Sequence, residues 1–286
     1  MNDVVVLIGA GSIGRAIARR VASGRVLLVA DLRTEVAQAA AEAFLNDGFD
    51  ARPAQVDVAD PDSVAALAEH AASLGAVTHV IHAAGVSPVQ ASAQAVIAVD
   101  VVGTALVLEE FGRRIAPGGA GIVIASQAGH MLPPLDEATN RALAQTPARE
   151  LAELPVLASI TDSGHAYGIA KRANILRAQA AALTWGDRGA RVNSISPGII
   201  MTPLARDEMS GPGAAGYRAM IDTSPAKRAG TPDEIGEASA FMMGATFLTG
   251  ADLLIDGGVI AAMTGGRFHW VTMPRPATTS SPVWGE

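Results

Sequence analysis

Residues 4–8, Val-Val-Val-Leu-Ile, form an apolar run dominated by β-branched side chains and lead straight into Gly9-Ala10-Gly11-Ser12-Ile13-Gly14. The residues that follow, 15–21, mix Arg with Ala, Ile and Val at helical spacing. Strand, glycine turn and helix in that order commit the start of the chain to a β-α unit. Bare backbone at Gly9 and Gly11 admits a pyrophosphate, whose charge meets the first helical N–H groups around Ser12 and Ile13. Gly14 lets helix and strand pack closely.

A second apolar run, 26–30, stops at Asp31-Leu32, with Asp31 twenty residues after Gly11. A carboxylate there accepts hydrogen bonds from an adenosine ribose and repels a 2′-phosphate. The expected cofactor is therefore NAD rather than NADP, with Arg33 as the feature that would favour the phosphate. The competing role for Asp31 is structural, as a turn or helix-cap residue.

Further apolar runs at 51–56, 79–82, 121–125, 191–196 and 253–255 alternate with longer, Ala-rich amphipathic stretches. That rhythm predicts an α/β fold with a single doubly wound parallel sheet and helices on both faces. With 286 residues and 49% hydrophobic content the chain can bury a large core, so one domain is expected over 1–262 and a tail over 263–286. The net charge of −7 argues against nucleic acid or an anionic membrane as partner. The absence of cysteine excludes disulfides and thiolate chemistry and fits a reducing, cytoplasmic setting. The first residues do not read as a signal peptide, and no uncharged apolar run reaches spanning length.

The 131–162 segment interrupts the rhythm with Pro133, Pro134, Pro147 and Pro155. Thr146-Pro147 reads as an N-cap and first-turn proline opening a short helix that runs to residue 154. An insert of this length is expected to be lid-like, lying over a ligand site. The Pro/Ser/Thr-rich tail, with Trp270 and Trp284, is expected either to lack order or to pack on a neighbouring subunit.

Tyrosine and lysine each occur twice, and one of each stands four residues apart in Tyr167-Gly168-Ile169-Ala170-Lys171. On a helix that spacing puts both on one face, where an ammonium favours a phenolate. A free tyrosine titrates near ~10, so acid–base work near neutrality needs a shift of ~3 units, or about 4 kcal/mol. One lysine supplies part of that, and the positive ring of an oxidised nicotinamide would supply more. Arginine, a wide planar fork, is no equivalent.

The glycine turn, Asp31 and the Tyr167/Lys171 pair together resemble the short-chain dehydrogenase/reductase family, a Rossmann-fold family, over roughly residues 4–260. Asp57-Val58 resembles its adenine contact and His82-Ala83-Ala84-Gly85 its Asn-Ala-Gly turn. Ser126-Gln127-Ala128-Gly129 resembles its Ser-x-x-Gly, making Ser126 the counterpart of the catalytic serine. Ser196-Pro197-Gly198, followed by Ile199, Ile200, Met201 and Thr202, resembles the loop that holds the nicotinamide carboxamide. Pro197, Gly198, Ile200 and Thr202 thus join the expected cofactor set. Arg228, Gly230-Thr231-Pro232 and Asp256-Gly257-Gly258 resemble the C-terminal signature. The resemblance implies that Tyr167 exchanges a proton with the substrate oxygen and that Ser126 donates a hydrogen bond to it. Lys171 would hold the nicotinamide ribose and lower the Tyr167 pKa. The implied protein is an NAD-dependent secondary-alcohol dehydrogenase or ketone reductase for a bulky, apolar small molecule, assembled as a homo-oligomer, tetramer or dimer.

Three departures stand out. Ile8 replaces the family's threonine, and the turn is one residue shorter. Ser126 and Tyr167 are 41 residues apart, an enlargement similar to that of the bacterial 3α-hydroxysteroid dehydrogenase/carbonyl reductase subgroup. Asp100 stands where the family has the asparagine that links Lys171 to a water relay, and it is counted here with the catalytic residues. Two alternatives remain. A nucleotide-sugar epimerase or dehydratase shares the Tyr/Lys pair but needs more chain beyond the core, and Asp100 keeps open a catalytically silent NAD(H)-binding regulator. His70, His79, His82, His130, His165 and His269 lack metal-ligand spacing, so no metal is expected. His130, His165, Met131, Leu132 and Leu135 could face substrate, whereas Met242-Met243 reads as core.

Overall fold

The computed structural model describes residues 2–211 and 213–267. The tail from 268 onward, with His269, Trp270 and Trp284, lies outside the described residues. Seven strands form one parallel sheet: β1 (Asp3–Ile8), β2 (Val26–Asp31), β3 (Asp50–Gln55), β4 (Ala76–His82), β5 (Ala120–Ile124), β6 (Arg191–Pro197) and β7 (Asp252–Ile255). Their order is β3-β2-β1-β4-β5-β6-β7. The winding reverses between β1 and β4, and a crevice opens outside the carboxyl ends of those strands.

Both faces of the sheet are covered, which is why the central strands read as unbroken apolar runs rather than alternating ones. Val4, Val6 and Ile8 of β1 pack against α3 (Pro61–Leu74), α5 (Thr104–Gly112) and α8 (Ser163–Gly186). Val5 and Leu7 point the other way, to α1 (Ser12–Val21), α2 (Thr34–Asn46) and α11 (Pro232–Gly244), where Met242 and Met243 are buried. The remaining helices are α4 (Ala93–Val96), α6 (Glu137–Gln145), α7 (Pro155–Ala158), α9 (Pro203–Glu208), α10 (Ala214–Thr223) and α12 (Val259–Thr264). Among the described residues no helix is long and apolar enough to cross a membrane.

The 131–162 segment divides into two parts with different work. Its body folds as α6, a 3-10 turn at Ala148–Glu153 and α7, and it buries Leu143, Leu151 and Leu157 against the outer side of α5 and α8. Arg177 of α8 fastens it, donating to the carbonyls of Leu143 and Thr146 while pairing with Glu109 at 3.0 Å. Only Met131, Leu132, Pro133 and Asp162, at its two ends, line the cleft. The helix expected from Pro147 is thus a 3-10 turn, and Thr146 is not its cap. Thr146 is extended, as a residue before proline prefers, and ends α6.

Candidate active site

The glycine turn divides its labour. Gly9 has φ +91°, and a Cβ there would stand 2.4 Å from the Ala84 nitrogen. A Cβ on Gly14 would stand 2.4 Å from the Gly9 carbonyl and 2.8 Å from Leu7 Cδ1. Gly11, at the N-terminus of α1, has nothing within 4 Å of that position. Of the two turn glycines, Gly11 leaves open space and Gly9 does not. Gly9 supplies the positive φ and makes room for the neighbouring strand end.

Asp31 closes β2 beside that opening. Its Oδ2 accepts the Ala10 N–H at 3.0 Å and its Oδ1 the Arg33 N–H at 3.2 Å, so the carboxylate is fixed with lone pairs to spare. Leu32 is 59% exposed next to it, and Asp57 is exposed at the end of β3. Val58 is buried against Gly103. These groups lie near the carboxyl ends of β1, β2 and β3. Separately, a cleft of about 890 Å³ is lined by Ile13, Ala83, Ala84, Gly85, Pro197, Gly198, Ile200 and Thr202. The cradle fits a dinucleotide.

Ser126, Tyr167 and Lys171 meet in the same cleft. Ser126 follows β5 and its hydroxyl accepts the Ala128 N–H at 3.2 Å, capping the 3-10 turn Gln127–His130. That turn can lie on α8 because Gly129 has no side chain: a Cβ would stand 2.8 Å from the Arg172 nitrogen. Asp162 caps α8 through the His165 N–H at 2.7 Å, and α8 then presents Tyr167 and Lys171 on one face. Lys171 Nζ is 5.2 Å from the Tyr167 ring centre and 3.0 Å from Asp100 Oδ2.

Asp100 sits in a π-helical turn, Ile97–Gly103, between α4 and α5. Its Oδ1 accepts the Val86 N–H at 2.8 Å, and its side chain is fully buried. Gly85 leaves room for the pair, since a Cβ there would lie 3.3 Å from both Asp100 oxygens. Burial works against the Lys171 ammonium, but Asp100 and Tyr167 outweigh it and hold its pKa above the usual value. For Tyr167 burial raises the pKa, Lys171 lowers it, Asp100 raises it, the Ser126 hydrogen bond lowers it and Glu208 raises it. The net direction is upward. Lys171 thus acts in the expected sense without prevailing alone.

His82 takes the asparagine position of the family turn. Burial and then Lys171 lower its pKa to about 3, so it is neutral. Thr104 donates its hydroxyl proton to the Asp100 carbonyl at 2.8 Å, so His82 Nε2 is the donor across the 3.0 Å contact to Thr104. Of the residues flanking the long segment, His165, Met131 and Leu132 line the cleft. His130 pairs with Asp252 at 2.8 Å, and Leu135 packs against the core. Sequence reasoning missed Ser87, Gln127, Glu208 and Tyr217, which line the same cleft. Among the described residues no cluster of histidine and carboxylate side chains is placed to hold a metal.

A dinucleotide groove at the switch point of a parallel sheet, leading to a Tyr-Lys pair and a serine hydroxyl, defines a nicotinamide-dependent oxidoreductase. The short chain dehydrogenase model matches residues 3–137, and the Enoyl-(Acyl carrier protein) reductase model matches 156–260. The chain is 39% identical to the short-chain dehydrogenase/reductase bsc3 of Alternaria brassicicola over 92% of its own length and 97% of that protein. It is 30% identical to the D-threitol dehydrogenase of Mycolicibacterium smegmatis, covering 90% and 92% of the two chains. The solved short-chain dehydrogenase/reductase from Serratia marcescens shares the fold at 23% identity with a TM-score of 0.70, over 91% and 98% of the chains. The chain belongs to the short-chain dehydrogenase/reductase family. It is an oxidoreductase of alcohols and ketones that uses NAD or NADP.

Proposed function

We propose that the protein is an NAD-dependent dehydrogenase of secondary alcohols, or reductase of the matching ketones. The observation that carries this reading is the convergence of Ser126, Tyr167 and Lys171 in one cleft that Ile13 of α1 also lines, with the open Gly11 turn and the fixed Asp31 carboxylate at neighbouring strand ends. NAD(H), when bound, supplies or accepts the hydride. Tyr167 gives a proton to the carbonyl oxygen in reduction and removes it from the alcohol in oxidation. Ser126 donates a hydrogen bond to the same oxygen as charge develops. Lys171 stands beside the phenol as a fixed positive charge and would hold the nicotinamide ribose, and Asp100 holds that ammonium in place. Met131, Leu132, Ile199 and Met220 give the cleft an apolar lining suited to a carbon skeleton larger than a short alcohol.

Asp31 is assigned to the ribose hydroxyls of NAD. Calorimetric titration should give at least tenfold tighter binding of NAD(H) than NADP(H), about 1.4 kcal/mol. Asp31→Ala should narrow that gap as Arg33 becomes free to meet a 2′-phosphate. Equal or reversed affinities in the wild type would overturn the assignment.

A further inference from the structure

Glu208 is the carboxylate that three separate elements bring to the substrate side of the cleft. It ends α9, and its Oε1 accepts the hydroxyl of Ser87, a residue 4% exposed in the loop after β4. Tyr217 of α10 stands near it, and burial together with Glu208 pushes the Tyr217 phenol well above its usual pKa. The charge is close enough to the reacting centre to oppose ionisation of Tyr167. Ser87, Tyr217 and Glu208 all line the same cleft as Ser126 and Tyr167.

Two features determine what such a group recognises. The Ser87 hydroxyl takes one of a carboxylate's ~four acceptor sites and leaves the others for a further donor. Gln127 turns its Nε2 to Met220 Sδ at 3.8 Å, and its Oε1 is buried without a partner. Meanwhile Lys171 is the one Lys or Arg among the described lining residues, and Asp100 holds it. The outer cleft therefore offers acceptors and negative charge, with no free lysine or arginine to receive a substrate anion.

We propose that Glu208 is a specificity-determining residue for substrates that carry a hydrogen-bond donor, hydroxyl or ammonium, away from the reacting carbon, and that it excludes substrates carrying a carboxylate there. The proposal rests on the dehydrogenase reading above. A substrate that fills the apolar cleft strips water from Glu208, which is costly unless the substrate returns a donor. A like charge brought to the same place is repelled.

The test compares kcat/KM for four substrates on one ring: cyclohexanol, cyclohexane-1,4-diol, 4-aminocyclohexanol and 4-hydroxycyclohexanecarboxylate. In the wild type the better of the diol and the amine should exceed the carboxylate by at least ~10-fold. Whichever is better identifies hydroxyl or ammonium as the preferred donor. Glu208→Gln should reduce the amine-to-carboxylate ratio at least ~10-fold. Tyr217→Phe, which keeps the charge and removes a neighbouring hydroxyl, should leave that ratio in place. It thereby separates loss of charge from general damage to α9 and α10. If no alcohol is turned over, the dehydrogenase reading has failed, and calorimetric titration of the same four compounds still reads Glu208. Use or binding of the carboxylate equal to that of the better of the diol and the amine, or an unchanged ratio in Glu208→Gln, would overturn the proposal.

Discussion

Asp100→Asn removes one charge from the catalytic group while keeping its shape, because the amide oxygen can still accept the Val86 N–H. The size of the effect follows from the geometry. Lys171 Nζ is 3.0 Å from Asp100 Oδ2 and 5.2 Å from the Tyr167 ring centre, so the carboxylate lies at most about 8 Å from that ring. At that separation and an effective dielectric of ~20, a unit negative charge raises the cost of forming the phenolate by ~2 kcal/mol, or ~1.5 pH units. Closer approach strengthens this and residual water weakens it, so a shift of about 1 unit is expected. The sign is fixed by the direction of the interaction. Asp100 raises the Tyr167 pKa, and alcohol oxidation needs Tyr167 as a base. Losing the charge therefore makes the base available at lower pH. The acidic limb of the kcat/KM profile for alcohol oxidation should move down by about 1 unit, with turnover retained. A limb that stays in place, or moves to higher pH, would refute the coupling between Asp100 and Tyr167.

Two further predictions separate fold from function. Gly14→Ala places a Cβ 2.4 Å from the Gly9 carbonyl and should cost about 1–3 kcal/mol in chemical denaturation, whereas Gly11→Ala meets no atom within 4 Å. Gly11→Ala should therefore leave the unfolding midpoint unchanged and weaken dinucleotide binding in a calorimetric titration. Within the long segment, Leu143→Ala should cost about 2–5 kcal/mol, because Leu143 is fully buried against the outer helices. Leu132→Ala, at the cleft, should instead raise KM or change substrate preference while NADH affinity is preserved.

The centre of the sheet was legible because β1, β2 and β5 are short, largely buried apolar runs, and the glycine turn fixed where the winding begins; the edge strands β3 and β7 are only partly buried. Tyr167 and Lys171 were legible because helical spacing alone puts them on one face. Asp31 was legible because its distance from the turn is set by one β-α-β crossover. The body of the 131–162 segment was not, since its prolines read as loop and its docking depends on Arg177, far along α8. Gly9 and Gly11 looked equivalent in sequence, and only the neighbouring Ala83-Ala84 backbone distinguishes them. Glu208, Ser87 and Tyr217 come from three loops and helices with no fixed spacing between them. Tertiary folding alone assembles them.

The central claim is that Tyr167 exchanges the proton in an NAD-dependent alcohol–ketone reaction. Its most direct test is spectrophotometric turnover of NADH with ketones and of NAD with secondary alcohols, in wild type and Tyr167→Phe, alongside NADH affinity for each. The account predicts that Tyr167→Phe lowers kcat by at least ~100-fold while NADH affinity changes little. Retained turnover in Tyr167→Phe would contradict it, as would a wild type that binds NADH but reduces no ketone.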